Sequence, residues 1–132
     1  AANRQPIRVI VIETAGRQKE LRKIYRPAWF TDAPYVLCVC GMESEGWIRK
    51  HDAKSHIDVD AGIVMDHIVL AATALGLGTC WIAAFDPDAA REVLGIPYNA
   101  EPIVFTPLGY AADELSEKQR KPIEDIVKYN QW

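Results

Sequence analysis

Two short polar clusters carry most of the chemistry this sequence offers. Asn3, Arg4, Gln5 and Pro6 stand immediately before an apolar run. The side-chain amides of Asn3 and Gln5 each bring donors and an acceptor, so the pair suits either a solvated turn or recognition of a ring with alternating donors and acceptors. Near the other end, Lys118, Gln119, Arg120, Lys121 and Pro122 put three cations just before a proline. Such a cluster is either a solvated charged patch or a phosphate clamp, for which a forked guanidinium is well suited.

Other patterns fall short of a site. Gly76-Leu77-Gly78-Thr79-Cys80-Trp81 lacks the third glycine of a dinucleotide fingerprint and follows a predicted helix, where that motif requires a strand. No Gly-x-x-x-x-Gly-Lys loop exists. His56, Asp58 and Asp60 alternate, and Asp66 precedes His67, but neither arrangement has zinc spacing, and Cys38-x-Cys40 lacks a partner pair. No metal site is expected. Ser44, Ser55 and Ser116 sit in no Gly-x-Ser-x-Gly elbow. The residues thus offer no convincing nucleophile, metal site or general base, and no catalytic side chain is nominated. Amides, a cationic tail and the glycine-flanked apolar stretch Leu75–Phe85 suit an enzyme whose chemistry belongs to an organic cofactor.

The elements that must position these groups read as follows. Ile7–Glu13 is β-branched and apolar, a buried strand, and Pro34–Gly41 is a second. Ala15–Tyr25 carries Leu21, Ile24 and Tyr25 at helical spacing, a surface helix. Met42–His56 has no clear period and reads as a loop or short irregular helix. Asp58–Gly76 is the strongest element: Asp58 or Asp60 caps a helix apolar on nearly every face, which predicts a central buried one, and Gly76 stops it. Thr79–Phe85 reads as a short extended segment. Asp86–Gly95 is a short helix with Asp86 as cap and Pro87 at its first position. Glu101–Tyr110 is a third apolar strand that Pro107 should end or hold at an edge. These 132 residues suggest one domain, an α+β sheet flanked by helices.

A net charge of −3 with interleaved signs implies no cationic face for nucleic acid. The apolar run Ile63–Leu75 contains Asp66 and His67 and is too short to span a membrane. Three cysteines and no secretory signal point to buried thiols in the cytoplasm. The apolar tail ending at Trp132 needs a surface to cover it, on its own domain or on a partner subunit.

Asn3–Pro6 before a strand, then Asp60–Phe85, Glu101–Tyr110 and Arg120–Val127, stand in the order seen in the FMN-dependent nitroreductase family, which the sequence resembles over nearly its whole length. The long helix running into Gly-Leu-Gly-Thr-Cys-Trp-Ile-Ala-Ala-Phe is the most specific part of the likeness. The resemblance implies an α+β sandwich, mainly antiparallel, with a long buried central helix. It also implies an intertwined homodimer with FMN at the interface and the C-terminal tail over the partner.

By the same resemblance, Asn3 and Gln5 contact the flavin and its ribityl chain, and Lys118 and Arg120 hold the FMN phosphate, with Lys121 a less secure substitute. Ile82, Ala83 and Ala84 supply the backbone facing the isoalloxazine ring, where a main-chain N–H aimed at N5 orients it without a titratable group. The implied reaction is ping-pong: hydride from NADH or NADPH to flavin N5, then to a nitroaromatic, quinone or similar acceptor. A flavin-binding protein for storage or sensing, or a flavin-free interaction module, are the rival expectations. The family pattern includes an upstream helix with an Arg/Ser-rich phosphate motif, which would precede Ala1, and an aromatic residue in many relatives where Ile7 stands.

Overall fold

In this computed structural model, which describes residues 1–113 and 117–132, four strands form one antiparallel sheet. They are β1 (Ile7–Glu13), β2 (Tyr35–Met42), β3 (Gly78–Thr79) and β4 (Ala100–Gly109), in the spatial order β1-β2-β4-β3. Helices cover both faces. On one side lie α1 (Gln18–Ile24), α2 (Trp29–Asp32) and α4 (Pro87–Leu94); on the other lies α3 (Ile57–Ala74). A short helix α5 (Ile123–Ile126) follows in the tail.

The alternation of β2 explains the two-sided core. Val36, Cys38 and Cys40 point to the three-helix side, with Leu21, Ile24, Phe30, Ala90 and Phe105. Val39 points the other way and packs with Ala61 and Met65 of α3 and Val104 of β4. Gly41 is needed at the point where α3 begins. A Cβ there would lie 2.6 Å from the Ile57 side chain and 2.7 Å from that of Ile103.

Several elements differ from the sequence expectation. The long helix is present, but in the single chain it buries only one face, through Ile57, Ala61, Met65 and Ala72. Val59, Ile63 and Leu70 remain about half exposed. Its all-round apolar pattern therefore describes a helix with one face on the sheet and one face without cover inside this chain. Neither Asp58 nor Asp60 caps it: His56 is the N-cap residue and makes no side-chain cap bond. The two aspartates fall in the first turn, where carboxylates still complement the helix dipole.

β1 is an edge strand, not a buried one. Ile12 is in the core, whereas Val9 and Val11 are 43% and 66% exposed, on the α3 side of the sheet. β4 runs through Pro107 to Gly109 as an inner strand. The missing Pro107 N–H falls between the Ile82–Phe105 bridge and the Thr79–Leu108 pair, where the outer ladder is already interrupted. Of the three thiols, Cys38 and Cys40 are buried and Cys80 is exposed. In Met42–His56 the chain makes a 3₁₀ turn at Glu43–Glu45 and a bridge from Ile48 to Ser55. α4 matches expectation: Asp86 accepts from the Asp88 and Ala89 amides, both at 3.0 Å.

Candidate functional site

Beside the start of β1, against α3, runs a groove of about 440 Å³. Asn3 and Gln5 line it, with Asp60, Ile63 and Val64 across from them and Val9 of β1. The segment that brings the two amides there is bent sharply. Asn3 and Gln5 both have positive φ, 51° and 53°, and Gln5 directly precedes Pro6. Non-glycine residues at such angles cost roughly 1–3 kcal/mol each and persist only where the surroundings fix them. The fixing contacts are present. The Met42 amide donates to the Pro6 carbonyl at 2.7 Å, and the Arg4 guanidinium donates to the Gly46 carbonyl at 2.9 Å.

The Gln5 amide nitrogen donates to Asn3 Oδ1 at 3.0 Å. In that arrangement Asn3 Nδ2 and the side-chain Oε1 of Gln5 make no hydrogen bond to any described residue, while the Gln5 main-chain carbonyl accepts from Arg8 at 3.2 Å. A donor on Asn3 and an acceptor on Gln5 are thus left uncommitted. That pair complements a ring edge bearing a carbonyl next to an N–H.

Asp60 is the residue of this groove that sequence reasoning missed as a site member. Its Oδ1 accepts from the Ala1 nitrogen at 2.5 Å. Its Oδ2 is shielded from solvent and has no partner among the described residues. One turn earlier, His56 Nε2 is likewise shielded and unpartnered, its ring set edge-on to Trp47 at 4.8 Å. The spacing of Asp60 to Ile63 and Val64 was a usable signal, since residues three and four apart share a helix face.

Ile82, Ala83 and Ala84 lie at the opposite edge of the sheet from β1. Ile82 is 3% exposed, and its amide and carbonyl both pair with Phe105, at 2.9 Å each. Its N–H is therefore committed, and its part is to anchor the segment. Ala83 and Ala84 are exposed, and their amides donate to no described residue. Two further contacts hold this shelf: the Cys80 amide donates to Thr106 Oγ1 at 3.0 Å, and the Asp86 amide donates to the Ile24 carbonyl at 2.9 Å. Thr106, buried in β4, is a support that no local sequence signal singles out.

Lys118 and Arg120 lie on the exposed tail. The Arg120 guanidinium donates to the neighbouring Gln119 carbonyl at 3.2 Å. Within one chain the structure brings Asn3 and Gln5 together and Ala83 and Ala84 together. The described hydrogen bond of Arg120 joins it to neither pair. Strands β2 and β4 separate the groove from the shelf, about 14 Å at the usual strand spacing. A second concavity of about 550 Å³, beside Arg91, Tyr98 and Glu101, contains none of the expected site residues. Its Arg91 guanidinium is already bound to the Pro97 and Ala100 carbonyls at 3.0 and 2.6 Å.

The profile of the Nitroreductase family matches residues 18–110. Among curated proteins, the chain is 30% identical over 140 residues to the FMN reductase [NAD(P)H] of Bacillus subtilis, covering 94% of this chain and 56% of that protein. The chain therefore spans little more than half the length of that relative. A crystal structure of a nitroreductase family protein from Clostridium difficile is similar at 39% identity with a TM-score of 0.86, over 99% of this chain and 77% of that one. The NADPH:FMN oxidoreductase of Vibrio harveyi, solved with NAD⁺, shares the fold at 22% identity and a TM-score of 0.81, over 100% of this chain and 62% of that one.

Proposed function

The chain belongs to the nitroreductase family, and on that premise we propose that it is an FMN-dependent oxidoreductase using NAD(P)H and working as a homodimer. The observation that carries the reading is the shelf: Ala83 and Ala84 expose unpaired main-chain amides on a segment pinned through Ile82. Exposed N–H groups are satisfied by water in the free chain, and a flat heteroaromatic ring offers acceptors that can take the water's place.

The donor set fits a flavin. Asn3 and Gln5 present an uncommitted donor and an uncommitted acceptor, which match the carbonyl and N–H of a pyrimidine-type ring edge. The small Ala83 and Ala84 side chains let main chain approach a ring face closely. Lys118 and Arg120 supply cations for a phosphate. When bound, FMN would supply the redox chemistry, hydride exchange between NAD(P)H and a nitroaromatic, quinone or related acceptor. The chain's own groups bind and orient; near-attack placement of the two partners is their contribution to rate. No titratable side chain is assigned a proton, which solvent can provide.

A second copy of the chain is supported by apolar surface. Val9, Val11, Ile63 and Leu70 form an uncovered apolar side of the sheet and α3, and Ile123, Ile126, Tyr129 and Trp132 are exposed along the tail. Surfaces of that kind mark interaction sites. Partner chains packed there would bring the tail cations to a site that one chain leaves dispersed.

The test is an absorption spectrum of the purified protein with FMN, before and after anaerobic NAD(P)H, then with a quinone. Expected are a bound-flavin spectrum, bleaching by the nucleotide and recovery with the quinone. Protein that binds no FMN overturns the reading; bound FMN that NAD(P)H never bleaches replaces it with storage or sensing.

A further inference from the structure

The connection from β2 to α3 carries a cluster of cations that the reading above leaves without a task. Residues 49–54 hold Arg49, Lys50 and Lys54, with His51, against a single carboxylate, Asp52, in a chain whose net charge is −3. They form the tip of a narrow hairpin. Ile48 bridges Ser55, the Arg49 amide donates to the Lys54 carbonyl at 2.9 Å, and the His56 amide donates to the Trp47 carbonyl at 3.0 Å. At the tip the Arg49 guanidinium takes both oxygens of Asp52, Nε to Oδ1 at 2.8 Å and Nη2 to Oδ2 at 2.5 Å, and the Lys54 amide donates to Oδ1 at 3.3 Å. The carboxylate is thereby occupied and the turn is set. Lys50 and Lys54 are exposed, and their ammonium groups hydrogen-bond to no described residue. The hairpin stands at the end of the groove. The Gly46 carbonyl, just before it, accepts from Arg4, which lies between Asn3 and Gln5. His56, at its other foot, accepts at its carbonyl from the amide of Asp60 in the groove wall, at 3.0 Å.

We propose that Lys50 and Lys54 bind the 2′-phosphate of NADPH and so make this chain prefer NADPH to NADH. The inference deepens the oxidoreductase reading and rests on it. The nicotinamide end of the reductant must meet the ring held through Asn3 and Gln5. The adenosine end then lies away from that ring, toward a rim. The hairpin is such a rim, anchored beside the two amides and open to solvent. NADH and NADPH differ at one place, a ribose hydroxyl in the first and a phosphate in the second. A phosphate monoester has its second pKa at about 6, so this one is largely dianionic at neutral pH. An ammonium is a compact point charge with rotatable donors, which suits a phosphate met at an exposed edge. Along the chain the hairpin is flanked by acids, Glu43 and Glu45 before it and Asp58 and Asp60 after it, so a dianion finds its favourable seat at the tip. The phosphate of FMN is already given to Lys118 and Arg120, which leaves the nucleotide as the other anion of the reaction.

The test has a kinetic arm and a binding arm. In the first, the FMN-loaded full chain oxidises NADPH or NADH with a quinone. Lys50→Ala combined with Lys54→Ala should raise KM for NADPH about tenfold, the joint effect of two exposed charge pairs. KM for NADH should stay within about twofold, and kcat and the FMN dissociation constant should not change. Lys50→Arg with Lys54→Arg should keep the preference, and added salt should weaken NADPH more than NADH. Lys19→Ala, an exposed cation of α1 across the sheet, should alter neither KM. In the second arm, calorimetry compares adenosine 2′,5′-bisphosphate with 5′-AMP, which lacks the 2′-phosphate. Wild type should bind the bisphosphate about tenfold more tightly, and the double alanine variant should lose that margin. Equal KM values or equal binding in wild type overturn the proposal. So does a matching rise for both dinucleotides, which would give the cations to the shared pyrophosphate, and so does a loss of FMN, which would give them to the cofactor. Protein that takes up no FMN overturns the oxidoreductase reading; the same two adenosine nucleotides, titrated into the flavin-free chain, then decide the hairpin separately.

Discussion

Ile82 and Phe105 exchange both of their backbone hydrogen bonds, each at 2.9 Å, across a gap in the outer ladder of the sheet. Phe105 is fully buried and stacks edge-on with Phe85 at 4.7 Å and Phe30 at 6.2 Å. A single bridge therefore ties an exposed stretch of main chain to the centre of the core. Residues on either side of Ile82 stay open to solvent while their position is fixed from beneath. This is how an apolar segment with no functional side chain can still present directed donors.

That division of labour separates two substitutions only two residues apart. Ile82→Ala removes buried methyl groups and should destabilise the chain by about 2–4 kcal/mol, read from urea unfolding of the flavin-free protein. Ala84→Leu adds an exposed side chain and should change stability by no more than about 0.5 kcal/mol. Its cost should appear in flavin affinity, because the branch occupies the space above the shelf. Ala84→Leu protein that binds FMN as tightly as wild type would move the ring away from this segment.

Much of the frame was legible in the chain, and the reasons are local. Asp86, Pro87 and Gly95 spelled out α4, and the left-handed Gly76 at φ 73° closed α3 as expected. What failed was inference about burial. Ile7–Glu13 and Ile57–Ala74 have the composition of core elements, yet Val11 and Leu70 stand 66% and 58% exposed. Composition records that a face is to be covered and does not say by which chain. Asn3, Gln5, Ala83 and Ala84 could be named from their order in the sequence, but the Gln5–Asn3 bond and the Ile82–Phe105 bridge are long-range or conformational facts with no one-dimensional signature. Asp60 was misread as a helix cap because capping and groove-facing positions differ by a single turn.

The cysteines give a test of the core that is independent of any ligand. Cys38 and Cys40 Sγ atoms lie 3.5 Å apart inside the sheet. Hydrogen bonding to Cys40, together with burial, pushes the Cys38 thiol far above its ordinary value, so almost no thiolate is present at neutral pH. Brief iodoacetamide treatment of the native, flavin-free protein at neutral pH should alkylate Cys80 alone, and treatment in urea should alkylate all three. Labelling of Cys38 or Cys40 in the native state, read by peptide mass, would contradict the packing of β2.

Arg120 is exposed and makes its described hydrogen bond only to the adjacent Gln119 carbonyl. Arg120→Ala should leave the unfolding midpoint of the flavin-free protein unchanged. If the guanidinium grips phosphate, FMN affinity should fall by about tenfold, with riboflavin affinity unaltered and the salt dependence of FMN binding reduced. Parallel behaviour of the two flavins would return Lys118–Lys121 to a solvated patch.

Leu70 decides what covers α3. Within the chain it touches solvent on the face opposite Ala72 and Met65, so a charge there costs the isolated fold little. In a dimer packed through this face the same charge would be buried without a partner, a penalty of several kcal/mol per copy. Leu70→Glu should therefore convert a dimer to a monomer in sedimentation velocity while the far-ultraviolet circular dichroism stays the same. Because the tail of one copy would then lose its seat on the other, flavin should be released in the same preparation. A variant that remains dimeric would place the interface elsewhere, and the apolar side formed by Val9, Val11 and Ile63 would need a different partner.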